Sequence, residues 1–213
     1  MTVVWPRDML VPRDWLPPTL INQTVSGPAS LTGRQQVIGA DAGYWKIEFA
    51  NIPVHGAERI RKWHELEALI EGRLNPVLVP VYIGDRGPGD EPFFGDGSGF
   101  SDHPDITAHV HSSAAVRATT LQINVTYGGP LKAGMPFSIG VRLYRISSVV
   151  AQSGDLHTVT VRPTLREAVA GGTAVEFNRP VCKCRLASDN AMDLPLAFNR
   201  YGFASVSFVE DPF

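Results

Sequence analysis

Three histidines and three aspartates crowd one stretch of the chain: His103, His109 and His111 with Asp96, Asp102 and Asp105. Imidazole and carboxylate are the usual ligands of a divalent metal, and His109 and His111, two apart, share one side of an extended chain. No second pair at helical spacing, such as His-Glu-x-x-His, accompanies them, so the cluster defines no metal site. Residues 96–102 (DGSGFSD) have the look of a calcium loop but lack the helix-flanked spacing that ends in a bidentate glutamate. Cys182 and Cys184 place both thiols on one face of a strand. Zinc needs four ligands and a redox pair reads Cys-x-x-Cys at a helix start, so these two read as small buried hydrophobes beside Leu186. Gly97-Ser98-Gly99 lacks the strand and helix of a nucleophile elbow. The glycine runs match neither phosphate-binding pattern. The chain is therefore assigned no catalytic, cofactor-binding or metal-ligating residue, and it is not read as an enzyme.

Composition narrows the remaining classes. In 213 residues, 20 glycines and 17 prolines exceed the roughly 12% that the two supply on average, which argues against a helical bundle. Apolar residues make up 44% and charged residues 19%, enough for a real core and too little charge for a disordered chain. Nineteen Lys and Arg against 21 Asp and Glu give a net charge of -2, so the basic face of a nucleic-acid binder is missing. The longest apolar run, residues 77–83, is broken by Pro80 and is far short of the roughly 20 residues that span a bilayer. Arg7 and Asp8 stand where a signal peptide needs apolar residues, which predicts a chain made and kept in a cytosol.

The elements that would position any site are mostly strands. Residues 1–20 repeat Pro-Arg-Asp-x-Leu, and Pro6, Pro12, Pro17 and Pro18 predict an extended arm outside any sheet interior. Such an arm, carrying Trp5, Leu10, Trp15 and Leu16, is suited to its own body or to a neighbouring subunit, and its loss is expected to harm assembly more than folding. Trp45, Ile47 and Phe49 alternate with Lys46 and Glu48 as one strand. Residues 57–71 form the one amphipathic helix, with Ile60, Trp63, Leu66 and Ile70 on one side and Gly72 to end it. Residues 84–113 have no periodic signal and read as a long Gly-rich loop, counted to residue 117, that something outside the core uses.

Beyond the loop, residues 121–127 and 137–143 alternate cleanly. At Leu143-Tyr144 the phase slips by one, which predicts a β-bulge there. Residues 163–170 suit a single helical turn, and strands are expected at 158–162, 175–177, 181–186 and 203–210. The expected architecture is mainly β. A β-sandwich with one flanking helix is built from residues 1–83 and 178–213, and a small barrel-like module, residues 118–177, is inserted between.

Several stretches carry a resemblance. Residues 22–33 (NQTVSGPASLTG), 43–49 (GYWKIEF), 71–76 (EGRLNP), 137–146 (FSIGVRLYRI), 160–169 (TVRPTLREAV), 175–181 (VEFNRPV) and 206–210 (VSFVE) resemble tail proteins of long-tailed, siphovirus-like bacteriophages and prophages. The resemblance covers most of the chain outside residues 84–113, and the role most similar is that of the distal tail protein. It implies a structural virion protein in a tube-like β-sandwich fold. Six copies would form a ring around the DNA channel, between the tail tube and the tail-tip hub or baseplate, with an added β domain projecting outward. Implied partners are other copies of the chain, the tube protein, the hub protein and the tape-measure protein. The implied location is the distal end of the virion tail, reached after assembly in the host cytoplasm. The barrel is small for a carbohydrate-binding domain. The other readings are a tail module that recognises host-surface sugar through exposed Trp or Tyr, a tube or terminator subunit, and a metal-dependent enzyme using the histidine loop.

Overall fold

A computed structural model describes residues 2–28, 33, 35–39, 43–82, 105–197 and 200–212. The first part of the chain forms β1 (Val3–Val4), β2 (Asp14–Trp15), β3 (Thr19–Ile21), β4 (Thr24–Ser26), β5 (Val37–Gly39), β6 (Tyr44–His55), α1 (Gly56–Ile70) and β7 (Val77–Pro80). The middle forms β8 (Thr107–Val110), β9 (Thr120–Tyr127), β10 (Pro136–Ile139), β11 (Arg142–Ser153), β12 (Leu156–Arg162) and β13 (Ala174–Glu176). Two strands finish it, β14 (Val181–Leu186) and β15 (Tyr201–Glu210). The fold is mainly β, with one flanking helix and an inserted closed barrel, consistent with a β-sandwich carrying a small barrel module.

A seven-stranded sheet runs β1-β7-β14-β15-β6-β2, with β3 also on β6, so both ends of the chain share one sheet. The inward residues of β6 explain its length. Trp45, Ile47 and Phe49 bury, Asn51 then adopts φ 53, and Ile52 and Val54 bury after it. The opposite strand shows the matching register shift between Ala204 and Val206, so an extra residue in β6 exchanges its faces. Asparagine tolerates that left-handed conformation better than a bulkier residue would. The side chain of Asn51 also donates to Asp14, which docks β2 at the bulge.

Helix α1 buries Trp63, Leu66 and Ile70, the stripe its sequence spacing predicts. It starts and ends one residue earlier than expected, because Glu71 already takes the left-handed conformation at φ 51 and Gly72 follows at φ 64. Among the described residues no helix is long and apolar enough to cross a membrane.

The amino-terminal segment differs most from expectation. β1 pairs in parallel with β7, and Trp5 and Leu10 are fully buried in the sheet core. The Trp5 ring lies 5.3 Å from Phe208, 5.9 Å from Phe49 and 6.0 Å from Trp63, and its indole N–H donates to the Leu10 carbonyl at 3.2 Å. The prolines keep the segment at sheet edges, as their missing N–H requires, yet its side chains complete the core. The Tyr82 hydroxyl holds the Arg7 carbonyl at 3.3 Å from beneath. Burial pushes the Tyr82 phenol up to about 12, with the Arg7 guanidinium pulling the other way.

The barrel order is β10-β11-β12-β9-β8-β13, closed by β13 on β10. Its interior holds Ile123, Val125, Phe137, Tyr144, Ile146, Val159 and Val161. Three local expectations are corrected here. Residues 107–110 are a barrel strand rather than part of the long loop, paired to β9 and β13. Residues 163–170 form no helical turn, because their backbone is used across the chain instead: Leu165 and Val169 bond to Ala118 and Ala114. No bulge occurs at Leu143-Tyr144, where β10 and β11 pair in regular register. The bulges of β11 lie further on, between Ile146 and Ser148 and between Val149 and Ala151.

The packing of Trp5 replaces the earlier expectation for the arm. Deleting residues 1–18 will abolish cooperative unfolding, and Trp5→Ala will cost about 3–5 kcal/mol in urea denaturation. A loss under about 1 kcal/mol would return the segment to an assembly role. The raised Tyr82 phenol adds a pH dependence. Its contribution to stability is complete below its ordinary value of 10.0 and is lost as pH rises toward about 12. Tyr82→Phe will therefore flatten the alkaline fall in stability over that range.

Candidate functional site: the junction of sheet and barrel

The phase slip at Leu143-Tyr144 marks the place where sheet and barrel meet. Tyr144 points into the barrel, beside Phe137, while Leu143 belongs to the core of the sheet. Ser138, opposite Leu143 on β10, is buried on the same outer side, and its hydroxyl accepts the Val181 N–H at 3.3 Å. Two adjacent barrel strands are thus covered on both faces. Consecutive apolar residues are what such strands require.

Side chains from both parts lock this contact. The Trp45 indole on β6 donates to the Leu143 carbonyl at 2.8 Å. Arg145 lies 4.9 Å over the Trp45 ring and donates to the Pro18 carbonyl at 2.7 Å. Burial lowers the Arg145 guanidinium below its ordinary value. At the end of β15, the Glu210 carboxylate accepts from the Trp45 backbone at 3.0 Å and from Arg166 at 3.1 and 3.2 Å. Arg166 also donates to the Gly43 carbonyl, and its own backbone N–H donates to the Tyr144 hydroxyl at 3.1 Å. Arg142 holds Glu167 at 2.9 Å and the Asp211 carbonyl, while the Asp211 carboxylate pairs with Lys183 and Arg185. Buried charges survive only when paired in this way.

Beside this lock lies an open cleft of about 690 Å³. Tyr44, Val116, Leu165, Val209 and Pro212 line it, and Arg117 and Arg166 supply its guanidinium groups. Arg117 is exposed and sits at φ 65, held there by its N–H to the Leu165 carbonyl at 2.7 Å. Arg166 is already committed to Glu210, so among the described residues the cleft offers apolar contact and the exposed Arg117 cation.

Next to the junction the β4–β5 hairpin leaves the sheet. Its base shares a smaller cavity with Arg162 and Pro163. Val25 pairs with Ile38, and both remain exposed, at 72% and 62%, with Val37 at 61%. No other strand among the described residues pairs with this hairpin. A two-stranded hairpin alone is marginal in water, and exposed neighbouring aliphatics of this kind are a surface that a contact would bury.

The sequence candidates lie elsewhere. His109 sits on β8, with its Nε2 3.4 Å from the Asn124 amide, and His111 is exposed just beyond. Asp105 lies at the foot of the same strand, whereas His103, Asp96, Asp102 and Gly97-Ser98-Gly99 fall outside the described residues. Among the described residues no three His, Cys, Asp or Glu side chains gather as a metal site would need. Cys182 and Cys184 are free thiols buried side by side on β14, and burial pushes the Cys184 thiol well up. The sequence marks Trp45 only as part of the apolar alternation of β6 and assigns no role to Arg145, Arg166 or Glu210. Their one legible signal was the charge at the end of the otherwise apolar alternation of β15.

Comparison with protein-family models gives no match, and comparison with curated proteins gives none.

The Arg166–Glu210 pair is the test of the junction. Arg166→Ala leaves a carboxylate buried without its cation and will cost about 3–5 kcal/mol in urea denaturation. Adding Glu210→Gln will recover most of that loss. A single-variant loss below about 1 kcal/mol would mean that the pair does not hold sheet to barrel.

Proposed function

We propose that the chain is a structural subunit of a long-tailed bacteriophage tail, most like a distal tail protein, which assembles with copies of itself into a ring. In this reading the ring is hexameric, surrounds the DNA channel and joins the tail tube to the tail-tip hub or baseplate. Other copies of the chain, the tube protein, the hub protein and the tape-measure protein are its partners, and the virion tail is its location. The observation that carries the reading is the β4–β5 hairpin, whose Val25, Val37 and Ile38 are exposed and belong to neither core among the described residues. The sheet with its helix and the inserted barrel fit the two parts that the sequence resemblance implies. Residues 22–33, one of the resembling stretches, contain β4 itself.

The charge is compatible with the same reading. A net charge of -2 lets a ring surround DNA without gripping it. The locked junction gives a ring subunit a projecting module of fixed orientation. The sugar-binding alternative has one specific observation in its favour, Tyr127 at the barrel end, which is 64% exposed. A host polysaccharide bound saturably by the chain and lost on Tyr127→Ala would favour it.

Sedimentation of the purified chain tests the main reading. The chain will self-associate as concentration rises. Val25→Asp with Ile38→Asp will weaken that association at least tenfold, about 1.4 kcal/mol, and leave the midpoint of thermal unfolding unchanged at concentrations where both chains are monomeric. A strict monomer at every concentration would contradict the proposal.

A further inference from the structure

β11 has neighbours on both sides only in its first half. Residues Arg142 to Arg145 pair with β10, and Ile146 exchanges backbone hydrogen bonds with Gly134 and Met135 at 2.7 and 3.0 Å. From there to Ser153 the strand has β12 on one side and no strand on the other among the described residues. Residues 147–153 read SSVVAQS, without a charge or a proline, and Val150 is 62% exposed. Natural sheets blunt such edges with lysine, proline, bulges or a covering element, because an open neutral edge pairs with a strand that meets it. Here the two bulges break the edge, and the longest regular stretch left is Ala151 to Ser153, opposite Thr158 to Leu156. It can match a partner strand about three residues long.

The chain itself carries such a strand. β4 and β5 are three residues each, uncharged, exposed along their length and, among the described residues, paired only with one another. We propose that the open edge of β11 receives the β4–β5 hairpin of a second copy of this chain through main-chain hydrogen bonds. This inference rests on the reading of the chain as a self-assembling subunit and names the surfaces that do it. Neither edge carries a charge, so the contact buries no unpaired ion, and the exposed aliphatics of the hairpin meet Val150. The two edges lie at different places on one chain, so the contact is head to tail. Repeated, it closes into a ring if the rotation per copy allows and otherwise runs into a filament.

The test uses two full-length single-cysteine additions, Ile38→Cys on one preparation and Val150→Cys on another that carries a mass tag. Both positions are exposed, and the native Cys182 and Cys184 are buried. Under mild oxidation the mixture will give a disulfide-linked dimer of mixed mass at least tenfold above the same-mass dimers of either variant alone. Equal crosslinking in the mixture and the separate variants, in a chain that still sediments as an oligomer, overturns this contact and leaves the self-assembly reading standing. A chain that sediments only as a monomer overturns both.

Discussion

Leu143 and Tyr144 are neighbours in sequence that bury in two different cores, and the relation of sheet to barrel follows from that. A strand with one wet face could let the barrel swing about its connections. A strand covered on both faces cannot move without opening apolar surface on one side or the other. The Trp45 indole bonded to the Leu143 carbonyl fixes where the strand lies on the sheet. Arg145 over that ring and Arg166 on Glu210 then fix its angle. The cleft follows from this placement, since Tyr44 and Val209 line it from the sheet and Val116 and Leu165 from the barrel.

That rigidity bears on the proposed role. A ring subunit transmits position, and its projecting module is useful only if its orientation relative to the ring is constant. The charged groups at the junction suit this task because their alternatives are costly: removing one partner strands the other in a dry site. The reaching parts, by contrast, carry little charge. The hairpin is neutral and exposed, and the far half of β11, broken by two bulges, keeps at residues 151–153 a short neutral edge with no partner strand among the described residues.

Alternation and helical spacing made the regular elements legible. Residues 121–127 and 181–186 appear as strands where the pattern placed them, and α1 shifts by one residue. What the pattern could not give was the identity of the surface each face meets. The slip at Leu143-Tyr144 was visible and was read as a bulge. Its cause is burial on both faces, which a single sequence does not separate from a change of phase. The reverse happened at Asn51, where a real bulge hides in β6 behind a residue that looks like ordinary turn chemistry. The prolines of the first residues correctly excluded a central strand but said nothing of Trp5, whose partners Phe49, Trp63 and Phe208 come from three distant segments. Residues 107–110 were hidden by the glycine-rich stretch before them, although Ala108 and Val110 do alternate with Thr107 and His109. The junction pair was illegible for a similar reason. Arg166 and Glu210 are 44 residues apart, and nothing local marks a charge as destined for burial.

The central claim is that this chain builds a closed ring from a sheet body with barrels held outward. Electron microscopy of the purified full-length chain, at concentrations where sedimentation detects association, tests it most directly. The account predicts closed rings of one size, with the barrels at a constant angle in class averages. Particles that remain single chains, or whose barrels take up many angles about the sheet, would contradict it.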